Sequence, residues 1–152
     1  MYNFCMDTQH HTLRCAAYAF VIKEHKILLI LRKNTGWMDG KYGLPAGHLE
    51  KDETIKDALI REVQEEIGLK IRSTDLTFYH VMHRHEKAIG NFEYIDFFFK
   101  LEYWQEEPIN NEPEKAEHIK WFDLDSLPEN IIPNVEAAIK NYRGKLVFSE
   151  FS

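Results

Sequence analysis

The feature that most constrains the fold is the segment over residues 54–68, which predicts one amphipathic helix with defined ends. Its apolar residues recur at every fourth position and would form a buried stripe: Ile55, Leu59, Val63 and Ile67. Thr54 is a suitable N-cap, and Asp57 lies three residues later, as in a capping box. Gly68 can adopt the left-handed conformation that ends a helix. The pattern predicts a helix over residues 55–67 with one face against a core.

Extended segments surround this helix in the sequence. Alternating or continuous apolar residues predict strands at both ends of the polar turn 23–26, and further strands follow the helix. The predicted strands lie within residues 13–32, 76–84, 92–102 and 118–122. Pro133 suits the first turn of a final helix that would end at Gly144. Because strands and helices intermingle in a chain of 152 residues, we predict a single α/β domain with a mixed sheet.

The composition excludes several classes of protein. The net charge of −6 argues against a nucleic-acid polymer as partner, because such a polymer calls for a basic surface. No apolar run reaches the roughly 18–20 residues of a membrane span, and the N-terminus lacks the pattern of a signal peptide. Cys5 and Cys15 form no CxxC pattern. We therefore expect reduced thiols in a cytoplasmic protein without membrane contact.

The last two turns of the predicted helix carry an unusual charge pattern. Glu62, Glu65 and Glu66 come just before Gly68, where they repel one another and the partial negative charge of the helix end. Clustered carboxylates suit hard divalent ions such as Mg²⁺ or Mn²⁺. Taken alone, however, these residues favour a simpler interpretation, a solvated acidic face in which Arg61 pairs with Glu65.

The residues before the helix change this interpretation. Gly47 is followed after five residues by Glu53, and after seven more by REVQEEIGL, which begins at Arg61. The spacing resembles the Nudix box of the Nudix (MutT-like) hydrolases, G-x5-E-x7-R-E-U-x-E-E-x-G-U, in which U is apolar. Every specified position of that box is filled. The resemblance therefore indicates that the acidic helix end is part of a metal site.

The resemblance also implies a fold and its limits. It implies a Nudix-type α/β/α sandwich with a mixed sheet, formed as a single domain over residues 13–142. Residues 1–12 would be a short N-terminal extension, and residues 143–152 a C-terminal tail.

The resemblance further implies roles for individual residues. Mg²⁺ or Mn²⁺ would be the cofactor, held by carboxylates and one backbone carbonyl: Glu62, Glu65, Glu66 and Ala46. Three residues would brace the site: Glu53, Arg61 and Gly47. The general base stays open between Glu65, Glu66 and a glutamate from another loop. Many relatives have a second glycine where this chain has Ala46, but a carbonyl ligand does not need glycine.

Two residues outside the box are further candidates for the site. Arg32 ends a predicted strand at a position where relatives often place an arginine on the substrate phosphates; an ordinary solvated arginine is the alternative. Glu112 lies in NNEPEKAEHIKWFDLDSLP, which resembles a stretch of Nudix proteins that cleave nucleoside triphosphates. It would complete the metal site, or it is a solvated loop acid.

The remaining aromatic and histidine residues allow weaker interpretations. His83 and His85 would share one face of a strand, but no third soft ligand for zinc is nearby in the sequence. Trp37 and Tyr42 lie in the loop before the box and could contact a ligand. Core packing is expected for most of the other aromatics, with stacking on a nucleobase as the alternative: Phe97, Phe98, Phe99 and Trp121.

The function that the resemblance implies is metal-dependent hydrolysis of a nucleoside diphosphate linked to another group. We favour a nucleoside triphosphate as the substrate, either ordinary or oxidised. Its hydrolysis would yield a monophosphate and pyrophosphate. The alternative is an ADP-ribose or nucleotide-sugar pyrophosphatase. A non-catalytic nucleotide-binding module is a third hypothesis, although such modules usually lose box glutamates that this chain retains. The partner would be a small-molecule nucleotide, and a homodimer is compatible with family habit.

Overall fold

The computed structural model describes residues 11–87 and 92–152, which form eight strands and two α-helices. Most of the predicted N-terminal extension, residues 1–10, lies outside this part of the chain. The strands are β1 (Arg14–Lys23), β2 (Lys26–Arg32), β3 (Tyr42–Gly43), β4 (Ala46–His48), β5 (Leu76–Glu86), β6 (Phe92–Leu101), β7 (Ala116–Asp123) and β8 (Phe148–Phe151). The helices are α1 (Ile55–Ile67) and α2 (Pro133–Arg143), and a 3₁₀ turn at Ser73–Asp75 precedes β5.

The strands form one mixed sheet around β1. Its main order is β3-β2-β1-β6-β5-β8, with β4 also paired to β1 and β7 to β2. Strand β1 runs parallel to β6 and antiparallel to β2 and β4. The prediction of a mixed sheet is therefore confirmed.

Alternation of side chains along β1 divides the core into two layers, because successive residues of a strand point to opposite faces. Ala17 and Ala19 pack in one cluster with Leu59 and Val63 of α1. The second cluster lies on the other face of the sheet and joins β1 to α2: Tyr18, Phe20, Val135, Ala138 and Ile139. One helix on each face of the sheet makes the predicted α/β/α sandwich.

Helix α1 has the predicted boundaries and caps. The Asp57 N–H donates to Thr54 Oγ1 at 3.2 Å, and the Thr54 N–H donates to Asp57 Oδ2 at 3.3 Å, which completes a capping box. Gly68 ends the helix with φ of 72°. Each of the two described helices is too short or too polar to cross a membrane.

The predicted C-terminal tail contributes a strand to the sheet. Strand β8 pairs parallel with β5, and the Val81 N–H donates to the Val147 carbonyl at 2.9 Å. His80 of β5 anchors this connection, because its Nδ1 is 2.9 Å from the Leu146 carbonyl and its Nε2 is 2.8 Å from Ser149 Oγ. A segment of four residues is too short to show a periodic pattern, and its partner strand is distant in sequence.

Candidate active site

An open cavity of about 490 Å³ lies between the second half of α1, strand β4 and the start of α2. One end is acidic and is lined by Glu62, Glu66 and Glu112. Arg32 and Trp37 lie along its wall, and the lining continues to Asn134 near the start of α2. The cavity therefore joins an anionic end to aromatic and hydrogen-bonding surfaces.

The acidic end brings together carboxylates from two distant parts of the sequence. Glu62 and Glu66 are one turn apart on α1, and Glu112 comes from the loop between β6 and β7. Burial raises the pKa of Glu66 to about 8, although a hydrogen bond from the Ala46 N–H opposes the rise; the charges of Glu62 and Glu112 add to it. Ionised carboxylates are costly here unless a cation accompanies them.

Gly47 provides the space that Glu62 occupies. A Cβ atom at residue 47 would overlap the side-chain carboxylate of Glu62. Burial raises the pKa of Glu62, even though a hydrogen bond from Arg61 favours its charged form. The glycine of the box therefore lets strand β4 and helix α1 approach until Glu62 reaches the cavity.

Arg61 braces the loop that leads into α1. Its Nη1 donates to Glu62 Oε1 at 2.6 Å, and its Nη2 donates to Glu53 Oε1 at 2.9 Å and to the His48 carbonyl at 3.2 Å. Glu53 Oε1 also accepts from the Glu50 N–H at 2.7 Å. The hydrogen bond from Arg61 lowers the pKa of Glu53. One guanidinium thus connects β4, the loop and the acidic helix end.

Glu65 is the most exposed of the three box glutamates, and it pairs with the same Arg61 nitrogen as Glu62. Its side chain is exposed, its Oε2 lies 3.7 Å from Arg61 Nη1, and it lines a different depression together with Asp57 and Asn111. Ala46 lines the main cavity, where its N–H donates to Glu66 Oε2 at 2.9 Å. Ligation of a metal by Glu65 or by the Ala46 carbonyl stays a prediction.

Arg32 and Trp37 meet at the wall of the cavity. Arg32 Nε donates to the Trp37 carbonyl at 3.1 Å, and its guanidinium carbon is 5.3 Å from the centroid of the Trp37 ring. Tyr42 instead lies in the core, where its hydroxyl is hydrogen-bonded to His118 Nε2 at 2.8 Å. Of the two aromatic residues predicted before the box, only Trp37 lines the cavity.

The inner wall contains polar residues that the sequence analysis missed. Tyr18 and Asn134 line the cavity, and the Nδ2 of Asn134 is buried without a hydrogen-bond partner in the described part of the chain. Behind them, Arg84 Nε donates to Asp96 Oδ2 at 2.6 Å, and both side chains are buried. Asp96, which lies between Ile95 and Phe97 within the apolar run of β6, was the available signal, because a buried charge requires a partner.

The other aromatic residues pack in the core, as expected. Phe98 and Phe99 are buried, and Phe97 and Trp121 pack against the cluster beneath α1. The alternative of base stacking therefore has no support at these four positions.

The histidines of β5 do not join a three-ligand metal cluster. Within residues 11–87 and 92–152, one group has three potential ligand atoms that all lie within 4.8 Å of one another, and its members are exposed: His25, Asp123 and Asp125. Asp125 already pairs with Arg143. His85 Nδ1 lies 3.5 Å from Glu93 Oε1, so the zinc interpretation of His83 and His85 gains no support.

Comparison with known proteins assigns the chain to a family. The NUDIX domain model matches residues 12–142. An ADP-ribose pyrophosphatase from Methanocaldococcus jannaschii is 33% identical over 132 residues, covering 84% of this chain and 71% of the relative. A mouse oxidized purine nucleoside triphosphate hydrolase is 27% identical over 119 residues, covering 77% and 70% of the two chains.

Solved structures agree with this assignment. The crystal structure of a MutT NUDIX hydrolase from Burkholderia pseudomallei has a TM-score of 0.76 and 28% sequence identity, over 86% of this chain and 98% of the other. The filled box, the sandwich fold and these matches are mutually consistent. The chain therefore belongs to the Nudix family of pyrophosphohydrolases.

Proposed function

We propose that the protein uses a divalent metal ion to hydrolyse a nucleoside triphosphate to a monophosphate and pyrophosphate. Oxidised nucleoside triphosphates are included in this substrate class. The observation that carries this proposal is the position of Glu112. It belongs to the segment that resembles Nudix proteins acting on nucleoside triphosphates, and it lines the same cavity as Glu62 and Glu66. Arg32 on the wall of that cavity adds a cation for phosphate oxygens.

The acidic end offers the type of ligand that Mg²⁺ or Mn²⁺ takes, although the oxygens of its three glutamates do not all lie within 4.8 Å of one another. Glu62, Glu66 and Glu112 offer the oxygen ligands that these hard ions take. Desolvation raises the pKa of Glu66 to about 8, so its charged form is costly at this position unless a cation accompanies it. Glu65 and the Ala46 carbonyl are the proposed additional ligands. When bound, the ion supplies positive charge that offsets the phosphate oxygens during attack by water.

The side chains of the cavity divide the remaining tasks. Arg32 binds phosphate oxygens, and a carboxylate of the acidic end accepts the proton of the attacking water. Arg61 and Glu53 hold the acidic helix end in position. Elsewhere in the cavity, Trp37 offers a ring for stacking beside Arg32, and the side-chain amide of Asn134 can hydrogen-bond an acceptor on the nucleoside.

A second candidate function is hydrolysis of ADP-ribose or another nucleotide sugar. The 33% identical relative, which is named an ADP-ribose pyrophosphatase, favours it. The chemistry at the acidic end would be the same, because both substrates contain a diphosphate linkage. The two functions differ in the products that they release.

A turnover assay with product identification tests the proposal. Wild-type protein with Mg²⁺ is incubated with dGTP, 8-oxo-dGTP, ATP, ADP-ribose and a nucleotide sugar, and products are separated by anion exchange. We expect monophosphate and pyrophosphate from a triphosphate. Glu66→Gln and Glu112→Gln should each lower kcat by about 100-fold, whereas Glu114→Gln, an exposed residue of the same loop, should change it less than about twofold.

Two outcomes would contradict the proposal. Release of AMP and ribose phosphate from ADP-ribose, with the triphosphates left intact, would support the second candidate. Equal activity of wild-type protein, Glu66→Gln and Glu112→Gln would reject the acidic end of the cavity as the reaction site.

A further inference from the structure

The C-terminal end of α1 carries negative charge that no basic residue of its last turn compensates. The last turn contains no Lys, Arg or His, although the free carbonyls of a helix end carry partial negative charge. The last two turns of the helix also carry three acidic residues: Glu62, Glu65 and Glu66. The Gly68 N–H donates to the Gln64 carbonyl at 3.1 Å, so donors from outside the helix are needed for the three carbonyls that follow.

The loop between β6 and β7 supplies those donors. Asn111 Nδ2 donates to the Gln64 carbonyl at 3.2 Å and to the Glu65 carbonyl at 3.0 Å. The Asn111 N–H donates to the Glu66 carbonyl at 3.1 Å, and the Ile109 N–H donates to that of Ile67 at 3.0 Å. Each of the last four carbonyls of α1 therefore accepts a hydrogen bond from this loop.

Gly68 permits the loop to approach the helix this closely. A Cβ atom at residue 68 would lie 2.9 Å from Cγ1 of Ile109, and the backbone has φ of 72°. The glycine therefore ends the helix and also leaves space for the capping loop.

The same loop carries Glu112, which is the residue after Asn111. On its other side, the Glu112 carbonyl accepts from the Lys115 and Ala116 N–H groups, both at 2.9 Å. Lys115 Nζ also lies 2.7 Å from Glu112 Oε1. The backbone of Glu112 is thus fixed between the end of α1 and a turn that leads into β7.

We propose that Asn111 is a positioning residue, which caps α1 and thereby holds Glu112 beside Glu62 and Glu66. This inference rests on the proposed metal site at the acidic end of the cavity. The side-chain amide is suited to the role because its NH₂ group serves two carbonyls at once. A carboxylate of the same size has no donor and would repel the helix end.

The test measures Mn²⁺ binding by calorimetric titration of the metal-free protein, together with thermal unfolding without metal. Asn111→Ala and the isosteric Asn111→Asp should each weaken Mn²⁺ affinity by about 10- to 100-fold, with Asp at least as damaging as Ala. The metal concentration for half-maximal turnover should rise in parallel, while kcat at saturating Mn²⁺ stays within about threefold of wild type. The matched control is Asn141→Ala, which removes an amide hydrogen bond to Ser149 Oγ at the C-terminal strand.

The outcomes distinguish a failure of the proposed metal site from a failure of the positioning role of Asn111. If wild-type protein does not bind Mn²⁺, the metal site itself is rejected. If wild-type protein binds Mn²⁺ and Glu112→Gln binds it equally tightly, Glu112 is not a ligand and the positioning role of Asn111 is overturned with it. If Glu112→Gln weakens binding but both Asn111 variants bind like wild type, the positioning role is overturned. An equal loss of affinity in Asn141→Ala would also overturn it, because the effect would then be general destabilisation.

Discussion

Close contacts between single residues decide whether the acidic end of the cavity can form. The Glu62 carboxylate occupies the volume in which any other residue at position 47 would place its Cβ atom. Arg61 then holds that carboxylate through a hydrogen bond of 2.6 Å. The requirement for glycine at this position is therefore steric and arises from a contact between strand β4 and helix α1.

At this scale, we predict that Gly47→Ala displaces Glu62 and lowers Mg²⁺-dependent turnover by about 10- to 100-fold. The physical reason is the overlap between the new methyl group and the carboxylate. Gly144→Ala is the matched control, because the nearest atom to its Cβ would be the Lys140 carbonyl oxygen at 3.5 Å, an ordinary contact. Wild-type turnover in Gly47→Ala would show that the overlap is relieved without moving Glu62.

Strand β8 contacts one buried imidazole in addition to its backbone pairing with β5. His80 is fully buried and its ring nitrogens contact the Leu146 carbonyl and Ser149 Oγ. Burial lowers the pKa of His80, although the hydrogen bond to the Leu146 carbonyl opposes this shift. The folded state therefore favours the neutral imidazole more than the unfolded chain does, and the unfolded chain takes up a proton near the ordinary pKa of 6.5.

This difference predicts a pH dependence of stability. Below pH 6.5 the unfolded state binds the proton more readily than the folded state, so the free energy of unfolding falls on acidification, by at most about 1.4 kcal/mol per pH unit. Urea denaturation at pH 7.5, 6.5 and 5.5 should show a shallower decline in His80→Gln than in wild type. Ser149→Ala keeps the imidazole and should retain the wild-type slope. Parallel profiles for wild type and His80→Gln would contradict the prediction.

The stability of the whole molecule should respond to divalent ions. An ion that binds only the folded state adds about 2.7 kcal/mol at one hundred times its dissociation constant. For a chain of this length, that gain raises Tm by about 5 to 10 °C. Thermal unfolding with and without millimolar Mg²⁺ or Mn²⁺ measures this rise. Glu62→Gln and Glu66→Gln should shrink it, and Glu114→Gln should preserve it. A Tm that is indifferent to both ions in the wild type would reject the metal site.

Helix α1 illustrates what can be predicted from local sequence. Its apolar stripe, the capping box of Thr54 and Asp57 and the terminating Gly68 involve residues at most four positions apart. Such interactions repeat with the period of the helix, so they are readable without knowledge of the fold. The spacing between Gly47 and the box glutamates indicates the Nudix family. Membership of that family in turn predicts the α/β/α arrangement and the expected chemistry.

The tertiary structure alone decided the features that depend on contacts between distant residues. It left Glu65 exposed beside Arg61 while Glu62 and Glu66 line the cavity, paired Arg84 with Asp96 and added β8 to the sheet. It also placed the capping loop against the end of α1. The sequence by itself determined the acidic helix, the family of the protein and the chemistry expected of it, because these follow from the spacing of residues within one segment of the chain. Which side chains share one cavity depends on chain segments that meet only when the sheet and both helices have packed, and no local pattern records that packing.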